Sequence, residues 1–261
     1  MSKIERFREL HASGCFVIPN PWDAGSARLL EQLGFQALAT TSSGFAWSTG
    51  RRDNHITLEG ALAHFHAISS AVAIPVSGDF EGGFAVAPEG VAANFAKAAA
   101  TGVAGLSIED STGDANEPLF DFELAVERVR AAREAAPDVV LTARHEGYLV
   151  GHADLDATIR RLLAYSDAGA DCLYAPGPRK LDHLKAIVDA VAPKPVNVLV
   201  SSDFTTFDEM ARIGVRRISV GGALARAAWR GFLDAATEIA EKGTFTGLAK
   251  AIPGLELNAK F

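Results

Sequence analysis

Eight short β-branched or apolar runs punctuate this chain, each followed by a stretch with helical spacing, and that alternation constrains the fold more than any other feature. The runs are 16–18, 37–40, 76–79, 105–109, 139–143, 171–174, 196–200 and 217–220. From the first start to the last there are seven repeats, averaging about 29 residues each, the size of a βα unit. Eight such units predict an α/β protein, a (β/α)8 TIM barrel, with residues 1–261 as a single domain. An open doubly wound sheet is the alternative. The stretch from Phe122 to Arg133 is representative of the helices, with Leu124, Val126 and Val129 marking an apolar face. Gly34, Gly102, Gly169 and Gly214 each follow a helical run and precede a strand, where a left-handed C-cap is expected.

After the eighth strand the helical pattern continues from Ala223 through Lys242, and a further segment follows at 243–261. Phe245, Leu248, Ile252, Leu255, Leu257 and Phe261 make it more apolar than a free tail should be, which predicts an oligomerisation segment. Ordinary globular composition, 48% hydrophobic and 22% charged, excludes a disordered chain and a coiled coil. With no run of about 18 apolar residues, no membrane span is expected. Residues 1–8 alternate charge with apolar side chains and lack a secretory core, so a cytoplasmic location is expected. Cys15 and Cys172 are too few and too far apart for a disulfide framework and read as core residues of the first and sixth strands. A net charge of -7 argues against a nucleic-acid partner.

In a barrel the chemistry belongs at the carboxyl ends of the strands. Polar residues are dense there: Asn20-Pro21-Trp22-Asp23, Thr41-Ser42-Ser43-Gly44, Asp79-Phe80-Glu81-Gly82-Gly83, Glu109-Asp110 and Arg144-His145-Glu146 follow strands one to five. Asp79, Glu81 and Glu109 would come from adjacent strand ends, and two such charges ~5 Å apart repel by about 3 kcal/mol at an effective dielectric near 20. Hard oxygen ligands without a His or Cys cluster select Mg²⁺ or Mn²⁺. Each acid could instead cap a helix or pair with arginine. Arg144 can bind a carboxylate or phosphonate with two parallel hydrogen bonds, or form a salt bridge to Glu109 or Glu146 that orders the rim. Ser43-Gly44 reads as a turn whose amides could approach an anion. Trp22 could line the substrate pocket or seal the mouth, and His145 and His55 read as structural or solvated.

In order and spacing, Pro19-Asn20-Pro21-Trp22-Asp23-Ala24-Gly25-Ser26-Ala27-Arg28, Thr41-Ser42-Ser43-Gly44-Phe45, Gly78-Asp79-Phe80-Glu81-Gly82-Gly83-Phe84, Ser107-Ile108-Glu109-Asp110 and Thr142-Ala143-Arg144 resemble the isocitrate lyase and phosphoenolpyruvate mutase superfamily. The resemblance runs from about Phe7 to Leu233. It implies a barrel in which an α-keto acid chelates Mg²⁺, and in which breaking the bond to the third carbon leaves a pyruvate-type enolate stabilised by the metal. Asp79 matches the direct metal ligand, and Glu81 and Glu109 match acids that hold the metal's waters. Ser43, Gly44 and Phe45 match the pocket for the substrate anion, and Arg144 matches the substrate arginine. Asp53, in Gly50-Arg51-Arg52-Asp53-Asn54, matches an Arg-Asp on a mobile loop that contacts the reacting group. The resemblance also implies a homodimer or homotetramer in which a terminal helix swaps between subunits.

The loop after strand four departs from the pattern. Isocitrate and methylisocitrate lyases carry Lys-Cys-Gly-His there, and phosphonate mutases carry Lys-x-Asn. This chain has Ser111-Thr112-Gly113-Asp114-Ala115-Asn116-Glu117, keeping only Asn116 as a catalytic candidate. The expected function is therefore Mg²⁺-dependent cleavage or rearrangement of a C–C or C–P bond in a small α-keto acid, oxaloacetate- or phosphonopyruvate-like. A methylisocitrate-type lyase and a non-catalytic keto-acid binding barrel are the alternatives. A Schiff-base aldolase is disfavoured because no lysine stands at a strand end.

Overall fold

The structure, a computed structural model describing all 261 residues, contains the eight expected strands: β1 Phe16–Ile18, β2 Leu38–Ala39, β3 Val76–Asp79, β4 Gly105–Glu109, β5 Val140–Arg144, β6 Cys172–Tyr174, β7 Val196–Leu199 and β8 Arg217–Ser219. The helices are α1 Lys3–Ala12, α2 Ala24–Gln32, α3 Ser42–Ser48, α4 Leu58–Ala71, α5 Pro88–Ala99, α6 Phe122–Ala135, α7 Leu155–Asp167, α8 Leu181–Val191, α9 Phe207–Arg212, α10 Ala223–Lys242 and α11 Gly254–Asn258, with a 3-10 turn at Thr246–Lys250.

Every strand pairing is parallel, in the order β1-β8-β7-β6-β5-β4-β3-β2. The two ends of that order meet. Ala39 N donates to the Pro19 carbonyl at 3.1 Å and Asn20 Nδ2 donates to the Thr40 carbonyl at 3.1 Å. Asn20 Oδ1 in turn accepts from Val220 N and Gly221 N at 2.8 and 2.9 Å, so one buried amide clasps β1 to both neighbours. That closure makes the molecule a (β/α)8 barrel and removes the open sheet from consideration.

The local signals behave as their chemistry requires. Gly34, Gly102, Gly169 and Gly214 have φ of +89, +91, +106 and +90°, the left-handed cap that carries each helix into the next strand. In α6, Ala125, Val126, Val129 and Ala132 are buried, while Leu124 is only half-buried and Arg128 lies on the inner face. Cys172 is buried in β6; Cys15 immediately precedes β1 and is half-buried.

The bottom of the barrel is plugged by α1, whose fully buried Phe7 packs with Phe16, Ile18, Ala37, Ala39, Ala104 and Val140. Burying such a side chain is worth about 1.5–3 kcal/mol. Gly105 makes the plug possible, because a Cβ there would lie 2.6 Å from the Phe7 ring. Above this floor the interior is unusually polar: Ser77, Ser107, Asn197, Arg217 and Ser219 line it where Val, Ile and Leu ordinarily fill a barrel. No helix is long and apolar enough to cross a membrane.

Helix α10 departs from the compact pattern. Of its twenty residues only Ala225 is buried, and Trp229, Phe232 and Leu233 stay exposed, with Trp229 and Phe232 in edge contact at 5.6 Å.

Candidate active site

Asp79 ends β3 with its carboxylate held in a fixed direction. Its Oδ2 accepts from Ser42 N and Ser42 Oγ, both at 2.9 Å, and its own N–H donates to Thr40 Oγ1 at 2.9 Å. The β2 exit thereby orients the β3 acid, leaving Oδ1 toward the barrel axis, 3.4 Å from Ser107 Oγ. Arg144 ends β5 opposite. Its Nη1 lies 3.1 Å from Glu109 Oε2 and 3.7 Å from Asp79 Oδ1, while its Nε donates to Glu146. The Tyr174 ring lies beneath it, 5.3 Å from ring centroid to guanidinium carbon. Burial works against the charge of Arg144, but Glu146 and Glu109 outweigh it and hold the guanidinium charged, above its ordinary range.

Glu81 carries two anomalies. Its φ is +47°, a left-handed conformation that costs a non-glycine residue about 1–2 kcal/mol. Its Oε1 is buried and has no hydrogen-bond partner. The backbone is held in place: the Glu81 carbonyl accepts from Glu109 N at 3.0 Å, and buried Arg128 donates from α6 to the carbonyls of Gly82, Ala85 and Val86. A strained residue presenting an orphaned carboxylate oxygen at the mouth fits a group that supplies positive charge or donor waters. The three acids and Arg144 therefore come together as expected. They do not converge tightly enough to form a coordination sphere by themselves.

Burial, with Asp79 and Asp53 nearby, pushes Glu81 up to about 8, and burial raises Glu109 well above the carboxylate range despite Arg144. The sign of the resulting pH dependence is fixed. Between the unfolded value and about 8 the metal-free folded chain binds more protons at Glu81 than the unfolded chain does, so its stability falls as pH rises through that window. Thermal melts in chelator from pH 5 to 9 should show a declining midpoint, flattened in Glu81→Gln; a slope unchanged by that substitution would refute the assignment.

The remaining predicted residues are placed as follows. Ser43, Gly44 and Phe45 lie in the first turn of α3 rather than in an open turn, because Thr41 caps that helix. Gly44 N donates to Thr41 Oγ1 at 3.3 Å and Phe45 N to the Thr41 carbonyl at 3.1 Å, so of the three amides only that of Ser43 is free for an anion. Gly44 is required by close packing: a Cβ would lie 2.7 Å from Thr41 and 3.0 Å from Trp22. Phe45 stacks on His64, with ring centroids 4.0 Å apart, and His64 Nε2 lies 3.0 Å from the Trp22 carbonyl. Burial lowers His64 to about 4, so it is neutral and donates. Half-buried Trp22 is thus tied to the wall of the mouth.

Asp53 is exposed on the 49–57 loop but lies close enough to feel the site. Despite that exposed position, desolvation of the carboxyl group itself raises it, and Asp79 is the strongest charge acting on it. His55 Nδ1 contacts the Asp53 carbonyl at 2.8 Å and belongs to the same turn. Asn116 makes its contacts within its own loop. The 111–119 segment closes on itself as a hairpin, and the Asn116 amide contacts Asp114 Oδ1 at 3.2 Å on its exposed tip.

Behind the rim, Asp110 Oδ2 accepts from Tyr165 at 2.6 Å and Arg161 at 3.2 Å and pairs with His145 Nδ1 at 2.7 Å, while Oδ1 accepts from Glu146 N at 2.8 Å. Burial alone would raise Asp110, but the bonds from His145 and Tyr165 hold it below its ordinary value. This buried network fixes Glu146 and, through it, Arg144. His145 is buried in this network rather than solvated.

The sequence pattern of the phosphoenolpyruvate phosphomutase family matches residues 7–240. The chain belongs to that family. A candidate lyase/mutase of Burkholderia cenocepacia J2315 has a crystal structure 50% identical to it, with a TM-score of 0.95 over 98% of this chain and 95% of that one. Oxaloacetate decarboxylase of Pseudomonas aeruginosa is 30% identical over 97% of this chain and 88% of its own. The structure of a phosphonopyruvate hydrolase in complex with oxalate and Mg²⁺ is 26% identical, with a TM-score of 0.86 over 99% of this chain and 95% of that one. These relatives are enzymes of the lyase/mutase class, and this chain is an enzyme of the same superfamily.

Proposed function

We propose that this member of the family cleaves the bond beside the carbonyl of a small α-keto acid, with an oxaloacetate- or phosphonopyruvate-like substrate, and that it needs Mg²⁺ or Mn²⁺. The observation that carries the reading is the orphaned, strained Glu81 beside Asp79 and Glu109, facing a charged Arg144. Asp79 would hold the cation directly, and Glu81 and Glu109 its waters. When bound, the cation supplies Lewis-acid stabilisation of negative charge on the keto oxygen. The fork of Arg144 grips the substrate carboxylate, and Glu146 and the Asp110 network keep it aimed. Asp53, on its loop over the mouth, contacts the reacting end. Oxalate and Mg²⁺ together in a 26% identical hydrolase, and oxaloacetate as the substrate named for a 30% identical decarboxylase, support this chemistry.

The loop at 111–117 offers no thiol, and Cys172 lies inside the barrel. A lyase that must protonate a succinate-type carbanion loses about 10²–10⁴ in rate without a placed acid. Turnover with Mg²⁺ should therefore be greater on oxaloacetate or phosphonopyruvate, read as pyruvate release, than on methylisocitrate. Higher turnover on methylisocitrate than on both would reverse the assignment.

The same reading includes assembly. The exposed Trp229, Phe232 and Leu233 of α10, continued by Phe245, Leu248, Ile252, Leu255 and Phe261, form an apolar surface that a second subunit would cover, with 243–261 as the oligomerisation segment in a dimer or tetramer. Light scattering should give a stable oligomer at micromolar concentration, and Trp229→Asp with Phe232→Asp should shift it toward monomer. A monomeric wild-type chain contradicts this.

A further inference from the structure

The mouth continues down into a cavity of about 50 Å³, lined at its upper end by Asp79 and Arg144 and at its lower end by Arg217, Asn197, Ser219 and Tyr174. It has room for ~3 waters or one small anion. Arg217 is only 4% exposed, and no carboxylate lies within salt-bridge distance of it, although a buried cation is ordinarily paired. Its protein partners are neutral. Nε donates to Asn197 Oδ1 at 2.8 Å, and Nη1 lies 3.4 Å from His11 Nε2.

The hydrogen-bond directions around this cation can be followed atom by atom. His11 Nδ1 donates to the Phe7 carbonyl at 2.7 Å, so Nε2 carries the lone pair and accepts from Arg217. Burial, with Arg217 beside it, lowers His11 to about 3 and keeps it in that neutral form. Asn197 Oδ1 is occupied by Arg217, so its Nδ2 donates to Ser219 Oγ at 2.9 Å. Ser219, having accepted, has its own O–H left to donate, toward Tyr174 Oη or into the cavity. Asn20 Oδ1 is already filled by Val220 N and Gly221 N. The protein gives Arg217 Nη2 no acceptor. The lower end of the cavity therefore presents Arg217 Nη2 without a protein acceptor, beside the Ser219 and Tyr174 hydroxyls.

We propose that this lower cavity is a binding site for one small monovalent anion of halide size, with Arg217 as its counter-charge and Ser219 as its second donor. The site shares its cavity with Asp79 and Arg144, which line the upper end. A partner of this class satisfies the guanidinium and the hydroxyl at once, which neither water nor the surrounding side chains can do for the charge.

The test uses the full-length protein at constant ionic strength, with sodium gluconate, too large for the cavity, replaced stepwise by sodium chloride or bromide. The thermal midpoint should rise and saturate, by about 5 °C when halide is in large excess over its dissociation constant. Arg217→Gln should abolish the halide dependence, and Ser219→Ala should raise the half-saturating concentration about five- to tenfold. Crystals grown in bromide should show an anomalous peak within hydrogen-bond distance of Arg217. Coincident melts in halide and gluconate would overturn the proposal. So would a halide effect lost in Arg144→Ala but kept in Arg217→Gln, which would put the ion at the mouth. If Arg217→Gln does not fold, an unchanged midpoint concentration in Ser219→Ala overturns it instead.

Discussion

Arg144→Ala is expected to lower the affinity for an α-keto acid or oxalate by about 30- to 5,000-fold, the range for removing one partner of a buried, hydrogen-bonded charge pair. The size of the effect follows from what Arg144 touches. Glu109, Glu146 and Asp79 all lie within 4 Å of its nitrogens, and its side chain is only 18% exposed, so solvent cannot replace it cheaply. Removing it also leaves buried carboxylates without their counter-charge, a loss of about 3–5 kcal/mol in stability, lessened where Glu109 or Glu146 takes up a proton. Arg144→Lys keeps the charge but not the two-pronged geometry and should fall between. Calorimetric titration with oxalate, beside thermal melts at pH 6 and 8, reads both effects. Oxalate affinity within twofold of wild type would make the guanidinium a rim-ordering residue only.

Asp79→Ala should weaken Mg²⁺ and Mn²⁺ binding by more than about 100-fold, because outer partners of a bound metal already contribute 10- to 100-fold each and Asp79 is assigned the direct contact. Glu81→Gln and Glu109→Gln should lie in that smaller range. The fold should survive, since the backbone bond from residue 79 N–H to Thr40 Oγ1 is kept by alanine and Ser42, which loses a partner, is only half-buried. Calorimetry with each metal ranks the three variants. Equal losses at all three positions would contradict a single direct ligand, and no loss at Asp79 would remove the metal assignment.

The parts of this architecture written in short-range chemistry are legible in the chain. Each strand is a β-branched or apolar run, and each αβ turn carries either a glycine at positive φ, at 14, 34, 102, 169 and 214, or a proline, at 75, 137 and 195, so eight units could be counted from punctuation alone. Asp79, Glu81, Glu109 and Arg144 were legible for the same reason: each ends an apolar run, and a barrel sends run ends to one mouth. What is less legible depends on side-chain direction and closure. Ser43-Gly44 looks like a turn, but a Thr41 cap converts it into the first turn of a helix. Asn116 looks available until the hairpin bridge between Ser111 and Leu119 turns its amide onto Asp114. The grip of Ser42 on Asp79, the His64–Phe45 stack and the reach of Arg128 under the 82–86 loop join residues 19 to 46 positions apart, distances over which no periodicity speaks. One signal was present and unused. Arg217 and Ser219 alternate along β8 as Cys172 and Tyr174 do along β6, and a polar side chain every second residue in a buried parallel strand marks an interior that is not filled with hydrocarbon.

The most direct test of the central claim is a titration of oxalate into the wild-type chain with Mg²⁺ and again with the metal chelated. The proposed site calls for one oxalate per chain, bound only with the metal, since the rim acids otherwise repel a dianion that Arg144 alone must hold. Binding of equal strength with and without metal, or no binding in its presence, would contradict a metal-assisted keto-acid site at the mouth of this barrel.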